Sequence, residues 1–325
     1  MQLTSKLTQF QAQASFEVKS TSKIFMIFIG LVVLASLLSG GIFLQPNNLI
    51  NLGHQSAVLT LIAMAQLLVI LTGGIDLSLG AFLAINCVLI ILCQGFGFAN
   101  SILISLSVTT GLGLINGWLV TFLRLPSFVV TLGMMQVVYS LAKVLSGGGT
   151  VYTGFNGAEI SPLIAGFYHS TFLGIPFPIL TAVLFSVLTG LYMRTSIGHF
   201  TYAVGGNIRA AYFSGIPIKK VQLMAYGLAG LLAGIGGFLF VTRVGLGDPQ
   251  AGQWLALDSI AAVSIGGASL AGGVGNVAGT LIGVLILGVL NNIMNLIGIP
   301  PTLQPAIKGI VILIAVFLNS TRKRE

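Results

Sequence analysis

From Ile24 to Leu318 the chain is a succession of apolar runs separated by short polar or glycine-rich breaks. A helix of about 20 apolar residues crosses the hydrocarbon core of a bilayer. Ten such runs can be marked: Ile24–Leu44, Leu49–Thr72, Leu77–Cys93, Ile102–Phe122, Phe128–Val144, Pro178–Met193, Val221–Val241, Ser259–Ala271, Val277–Leu296 and Leu303–Leu318. The expectation is an all-α fold, a polytopic transmembrane helical bundle of about ten spans with interrupted helices. An even count puts both termini on one side. The short run Ser259–Ala271 is either a span or a re-entrant segment.

Composition agrees with a bilayer protein. Only 6% of the 325 residues are charged and 55% are hydrophobic, against about 25% charge in an ordinary soluble domain. The net charge of +8 has no aromatic-interleaved basic stripe, so nucleic acid is not an expected partner. Instead the basic residues collect at loops and ends, which orients a membrane protein with those loops in the cytoplasm. Both termini then lie inside. Residues 1–23 are expected to form a cytoplasmic tail, 24–318 the transmembrane domain and 319–325 a basic cytoplasmic tail. Residues 146–177, containing Glu159 and His169, form the main external loop. Lys308, about a turn inside the last run, is read as snorkelling to the outer interface. Cys87 and Cys93 match no metal or redox spacing. No catalytic grouping stands out, and no metal site is expected.

Tyr202–Lys220, within a basic cytoplasmic loop 195–220, is the longest polar, charged stretch between two apolar runs. Arg209, Lys219 and Lys220 fall in that stretch, with Arg194 and His199 just upstream and no acid between Arg194 and Lys220. Ala210-Ala211, three residues, Gly215 and then Ile216-Pro217 reads as a short, small-faced helix stopped by Gly and Pro. Such a knob suits docking by another protein, and an ordinary solvated loop is the alternative.

Leu71-Thr72-Gly73-Gly74 to Gly80 matches Leu270-Ala271-Gly272-Gly273 to Gly279 in spacing. Helices broken at corresponding places in two halves point to a transport pathway; chance is the alternative in a chain with 43 glycines. Asp76, after the first Gly pair and before Ser78, is either a pathway or gating group or a helix cap. Gln66, Asn86, Asn116, Gln136, Asn291, Asn292 and Asn295 are uncharged amides that could line a route for a neutral polyol or hold helix to helix. With Gly73, Gly74, Asp76 and Ser78 they are the pathway candidates. No phosphate-cradling Gly-x-x-x-x-Gly-Lys-Ser/Thr occurs, and no chain of membrane carboxylates offers ion coupling. Active transport would therefore need a partner's fuel.

LTGGIDLSLG (Leu71–Gly80), GGNIRAAYFSGI (Gly205–Ile216), LDSIAAVSIGGASLAGGVGNVAGTLIGVLILGVLNN (Leu257–Asn292) and KGIVILIAV (Lys308–Val316) together resemble the ribose-type sugar permeases of ABC importers. The resemblance runs from the first apolar run to the end of the chain. It implies a multi-pass subunit of a bacterial inner membrane, paired with itself or a second permease subunit. Two cytoplasmic ABC ATPases and an extracytoplasmic sugar-binding protein are the implied partners. ATP and Mg would be bound by the ATPase, and this chain would carry no cofactor and not itself be an enzyme. The implied coupling loop comprises Gly205, Gly206, Asn207, Arg209, Ala210, Ala211, Gly215, Ile216 and Pro217. Arg209 stands where the wider importer pattern favours a glutamate. The implied cargo is ribose or another monosaccharide. A nucleoside or furanosyl signalling molecule is the alternative cargo, and a secondary transporter or channel without an ATPase the alternative class.

Overall fold

The structure is a computed structural model that describes residues 22, 24–152 and 161–321. Of the sequence expectations, the tail 1–23 apart from Ser22, residues 153–160 of the external loop with Glu159, and residues 322–325 lie outside the described residues. The rest is mainly helical. A helix occupies each of the ten apolar runs: α1 (Ile24–Leu38), α2 (Pro46–Leu71), α3 (Leu79–Leu92), α4 (Phe98–Phe122), α5 (Ser127–Leu145), α7 (Phe177–Met193), α10 (Ile218–Val244), α11 (Leu255–Ile265), α12 (Val277–Leu296) and α13 (Gln304–Thr321). Three more lie between them: α6 (Pro162–His169), α8 (Ser196–Gly206) and α9 (Ile208–Phe213). Thr171–Phe172 and Ile175–Pro176 form a minimal hairpin ahead of α7.

Among the described residues six helices are long and apolar enough to cross a membrane, and a seventh candidate is the pair α7–α8, bent by 76°. The chain is thus a polytopic helical membrane protein. Several run boundaries move for local reasons. The first run breaks at Gly40 and Gly41, both with left-handed φ, and Pro46 then starts α2 at its first turn, where a missing N–H costs nothing. The eighth run starts earlier than expected and stops at Ile265, before Gly266 and a left-handed Gly267. At 1.5 Å per residue α11 is about 16 Å long, half of a bilayer core.

α2 is the central helix: 94% of its most apolar stretch is buried, against 22% for α4 and α5. It packs against α10, α12, α11 and α7. Where backbones approach most closely, glycine makes it feasible, as in membrane helix pairs generally. In the α4–α10 contact, a Cβ on Gly113 would lie 2.4 Å from the Tyr226 carbonyl oxygen, and one on Gly230 would lie 2.3 Å from that of Thr109.

The interval 146–177 is not a bare loop. Val151 and Gly247 exchange two backbone hydrogen bonds of 2.8 Å. α6 folds back onto the bundle, with Ile164 fully buried, Phe167 packed on Phe177 and Phe238, and the Tyr168 ring 4.3 Å from that of His54.

Lys308 does not snorkel alone. Its Nζ lies 3.2 Å from Asp258 Oδ2, joining α13 to the first turn of α11, with both side chains largely buried. A pair this enclosed loses more when one partner is removed than when both are replaced. Lys308→Ala is expected to cost about 2 kcal/mol, somewhat less than the ~3–5 kcal/mol of a fully buried pair. Lys308→Leu combined with Asp258→Leu should recover most of it. Thermal unfolding in detergent checks both, and a double variant weaker than the single would refute the pairing.

Candidate functional site

The polar residues between the spans separate into three groups. The first is a fully buried knot at the start of α3. α2 ends at Leu71, where Gly73 takes a left-handed φ of 84° and its N–H reaches back to the Ile70 carbonyl at 2.8 Å. The chain then turns, and the Asp76 carboxylate accepts from the Ser78 N–H (2.8 Å) and from the Ser78 hydroxyl (2.5 Å). Asn116 of α4 donates to Ser78 Oγ at 2.9 Å. The Gln66 amide, oriented to suit its neighbours, donates to the Asp76 carbonyl (2.8 Å) and accepts from the Asp76 N–H (3.2 Å). Gln66, Asp76, Ser78 and Asn116 are all 0% exposed. Buried backbone freed by a helix break must find such partners, because hydrocarbon offers none. Gly74 sits against the Tyr226 hydroxyl, and Asn86 is packed under Gly234 and Gly237.

The remaining amides are peripheral to this knot. Asn292 and Asn48 exchange hydrogen bonds of 2.8 and 3.0 Å and tie α12 to the start of α2. Asn295 accepts from Gln304 at 2.8 Å, and Asn291 is half-buried beside them. Gln136 is exposed on α5.

A cavity of about 1070 Å³ lies elsewhere, between α2, α7, α8 and α12. Ser56 and Thr60 of α2, Ser186 of α7 and Asn276 at the start of α12 supply neutral polar groups to its wall. Its one end is formed by Arg194, His199 and Tyr202 around the α7–α8 corner and by Gly273. None of the amide, Gly-pair or Asp76 pathway candidates lines it. The sequence reading passed over Ser56, Thr60, Ser186 and Asn276, since lone hydroxyls in an apolar run usually bond back to their own helix, as Thr60 and Ser186 do here. Asn276 did carry a signal: it follows a glycine-rich break and caps α12, accepting from Gly279 N–H at 2.7 Å.

The interval 195–220 is mostly helix. Thr195 caps α8, accepting from Gly198 N–H. Asn207 ends α8 and caps α9, accepting from Ala210 N–H at 3.0 Å. Gly215, at a φ of 75°, closes α9, and the Ile216 N–H reaches the Ala211 carbonyl at 3.1 Å. The Gly-Pro stop read from sequence is therefore present, with Pro217 leading into α10. The small face is not the outer one. Ala211 is buried against Val204 and Val221, whereas Ile208, Tyr212 and Phe213 are 51, 69 and 85% exposed beside Arg209 and Ala210. Lys219 lies 4.8 Å above the Phe122 ring, joining the start of α10 to the end of α4.

Residues 48–316 match the family model described as "Branched-chain amino acid transport system / permease component". The ribose import permease protein RbsC of Bacillus subtilis is 43% identical over 297 residues, covering 90% of this chain and 91% of the relative. Its Escherichia coli K12 counterpart is 37% identical over 296 residues, again 90% and 91%. The xylose transport system permease protein XylH of Haemophilus influenzae is 31% identical, covering 95% of this chain and all of the relative. No solved structure matches. The resemblance to ribose-type permeases carried by the four sequence motifs holds over nearly the whole chain. The chain belongs to this family of transport-system permease components.

Proposed function

We propose that this chain is the inner-membrane permease subunit of an ATP-driven, binding-protein-dependent importer of a small sugar, ribose or another monosaccharide. The observation that carries the reading is the cavity together with what closes its end. Its walls come from α2, α7 and α12, its mostly apolar lining is interrupted by the hydroxyls of Ser56, Thr60 and Ser186 and the amide of Asn276, charge enters only at one rim, and that rim is continuous with the segment that bears α9. A neutral polyol can cross such a space without leaving an unpaired charge in the bilayer. The identity to ribose and xylose permeases supports the same cargo class.

In this reading the chain crosses the membrane about ten times, with α11 entering beside α12, and both termini lie in the cytoplasm. Arg194 and the interval 195–220 then also lie inside, where Arg194, Arg209, Lys219 and Lys220 satisfy the preference of basic residues for that side. The main loop 146–177 and the hairpin face outward, toward an extracytoplasmic sugar-binding protein. α9 projects toward the cytoplasmic ATPase, and its exposed Ile208, Tyr212 and Phe213 form the apolar part of the docking knob. ATP and Mg are held by that partner. A second permease subunit closes the cavity's open side. Closure of the ATPases on ATP moves α9, and the cavity alternates between the two faces; such coupling requires a contact that differs in energy between the two states.

The reading is tested on a cysteine-free background, with Cys87 and Cys93 replaced. Val187→Cys, which lines the cavity and is 53% exposed, should react with a water-soluble maleimide at least about tenfold faster than Asn86→Cys in the core, and addition of an ATP analogue to the assembled complex should change that rate. Equal, slow labelling at both positions would show a lipid-filled groove instead. Sugar uptake by the chain alone, without an ATPase or ATP, would overturn the powered reading.

A further inference from the structure

Three Gly-Gly pairs that are far apart in the chain meet at one point. They are Gly73-Gly74 after α2, Gly205-Gly206 at the end of α8 and Gly272-Gly273 ahead of α12. The contact is backbone on backbone. A Cβ on Gly205 would lie 1.9 Å from the Leu71 carbonyl oxygen and 2.7 Å from Gly273 N. One on Gly272 would lie 2.8 Å from Gly73 N and 2.9 Å from the Gly205 carbonyl oxygen, and one on Gly273 2.6 Å from Gly206 N. The Gly273 N–H donates to the Leu71 carbonyl at 3.1 Å, and the Tyr202 hydroxyl donates to the Gly275 carbonyl at 2.9 Å. The two chain breaks that match in sequence are thus pressed together, with the end of α8 wedged against both.

This placement has a mechanical consequence. One residue, Asn207, separates α8 from α9. The wedge touches the end of α2 and the segment leading into α12, two helices whose stretches 53–60 and 277–285 wall the cavity, and Gly273 and Tyr202 themselves line its rim. Side-chain contacts can yield by changing rotamer, but touching backbones cannot, so a close-packed junction transmits displacement. We infer that the junction of Gly73, Gly205, Gly272 and Gly273 converts movement of α9 into a change in the width of the cavity rim. Gly205 and Tyr202 are the positioning residues that set it. This rests on the docking role proposed above for α9.

The test uses the complete complex of permease, partner ATPase and binding protein in proteoliposomes, with radiolabelled ribose as the probe. The readout is ribose imported per ATP hydrolysed. Gly205→Ala should lower that ratio by tenfold or more, and Tyr202→Phe, which keeps the ring and removes only the hydroxyl, by about threefold, both with continuing ATP hydrolysis. Gly111→Ala, where a Cβ meets nothing within 4 Å, should stay within about twofold of wild type. A second readout is independent of cargo. Spin labels at Leu191→Cys and Ala278→Cys, on opposite walls of the cavity, should change separation when an ATP analogue is added to the wild-type complex, and not in Gly205→Ala or Tyr202→Phe. Unchanged ratios and separations in those two variants would overturn the inference. So would a Gly205→Ala that merely fails to accumulate while Tyr202→Phe behaves as wild type. A wild-type complex that changes label separation but imports no ribose would count against the cargo reading and leave the junction supported.

Discussion

Asp76→Ala is expected to destabilise the folded permease on the order of 3 kcal/mol, because it leaves a backbone N–H and a hydroxyl of Ser78 without an acceptor at zero exposure. The loss should spread, since Asn116 of α4 holds the same hydroxyl and Gln66 of α2 holds the Asp76 backbone. Thermal unfolding of the detergent-solubilised protein measures it. Asp76→Asn separates capping from charge. An asparagine keeps the acceptor oxygen for Ser78 and removes the carboxylate, so it should retain most of the stability and transport within about twofold of wild type. If Asp76→Asn folds normally yet transports nothing, the charge itself works in the transport cycle, and the capping role is insufficient.

Gly230→Leu should have the other large effect. A side chain there would begin 2.3 Å from the Thr109 carbonyl oxygen and 3.2 Å from the Gly113 Cα, in the middle of the α4–α10 contact. Neither neighbour is a side chain that can swing away, so the two helices must part. Overpacking of this kind costs more than about 3 kcal/mol, and the variant should not accumulate as a monodisperse protein by fluorescence-detected size exclusion. Gly111→Leu, on the same α4 but with open space at its Cβ, should accumulate as wild type does. Equal behaviour of the two would mean that α4 and α10 do not pack this closely.

The helices were legible because hydrocarbon length is written directly into the sequence as runs of apolar residues, and all ten runs are helical. Which face of each helix turns inward was not legible. In a bilayer the lipid-facing and the buried faces are both apolar, so α2, almost wholly enclosed, and α4, mostly uncovered, read alike. The polar residues could be found but not paired. Lys308 and Asp258 are 50 positions apart, and Asn48 and Asn292 are 244 apart; nothing local links either pair. The glycine pairs at 73, 205 and 272 were each visible, two of them as a repeat, but their meeting depends on the tertiary packing of α8. The amides are the conspicuous polar residues of the apolar runs, yet the cavity is walled mainly by apolar side chains with a few hydroxyls among them, of which Thr60 and Ser186 bond to their own helices.

The corner at Arg194 and Thr195, where the chain turns by 76°, makes α8 a crank arm. Its 11 residues span about 16 Å, so a swing of only about 10° about that corner would carry the far tip roughly 3 Å. That stroke exceeds the slack between any two atoms already in contact there. A modest push on the tip would therefore have no idle travel, and its direction would follow the angle at which the arm leaves its pivot.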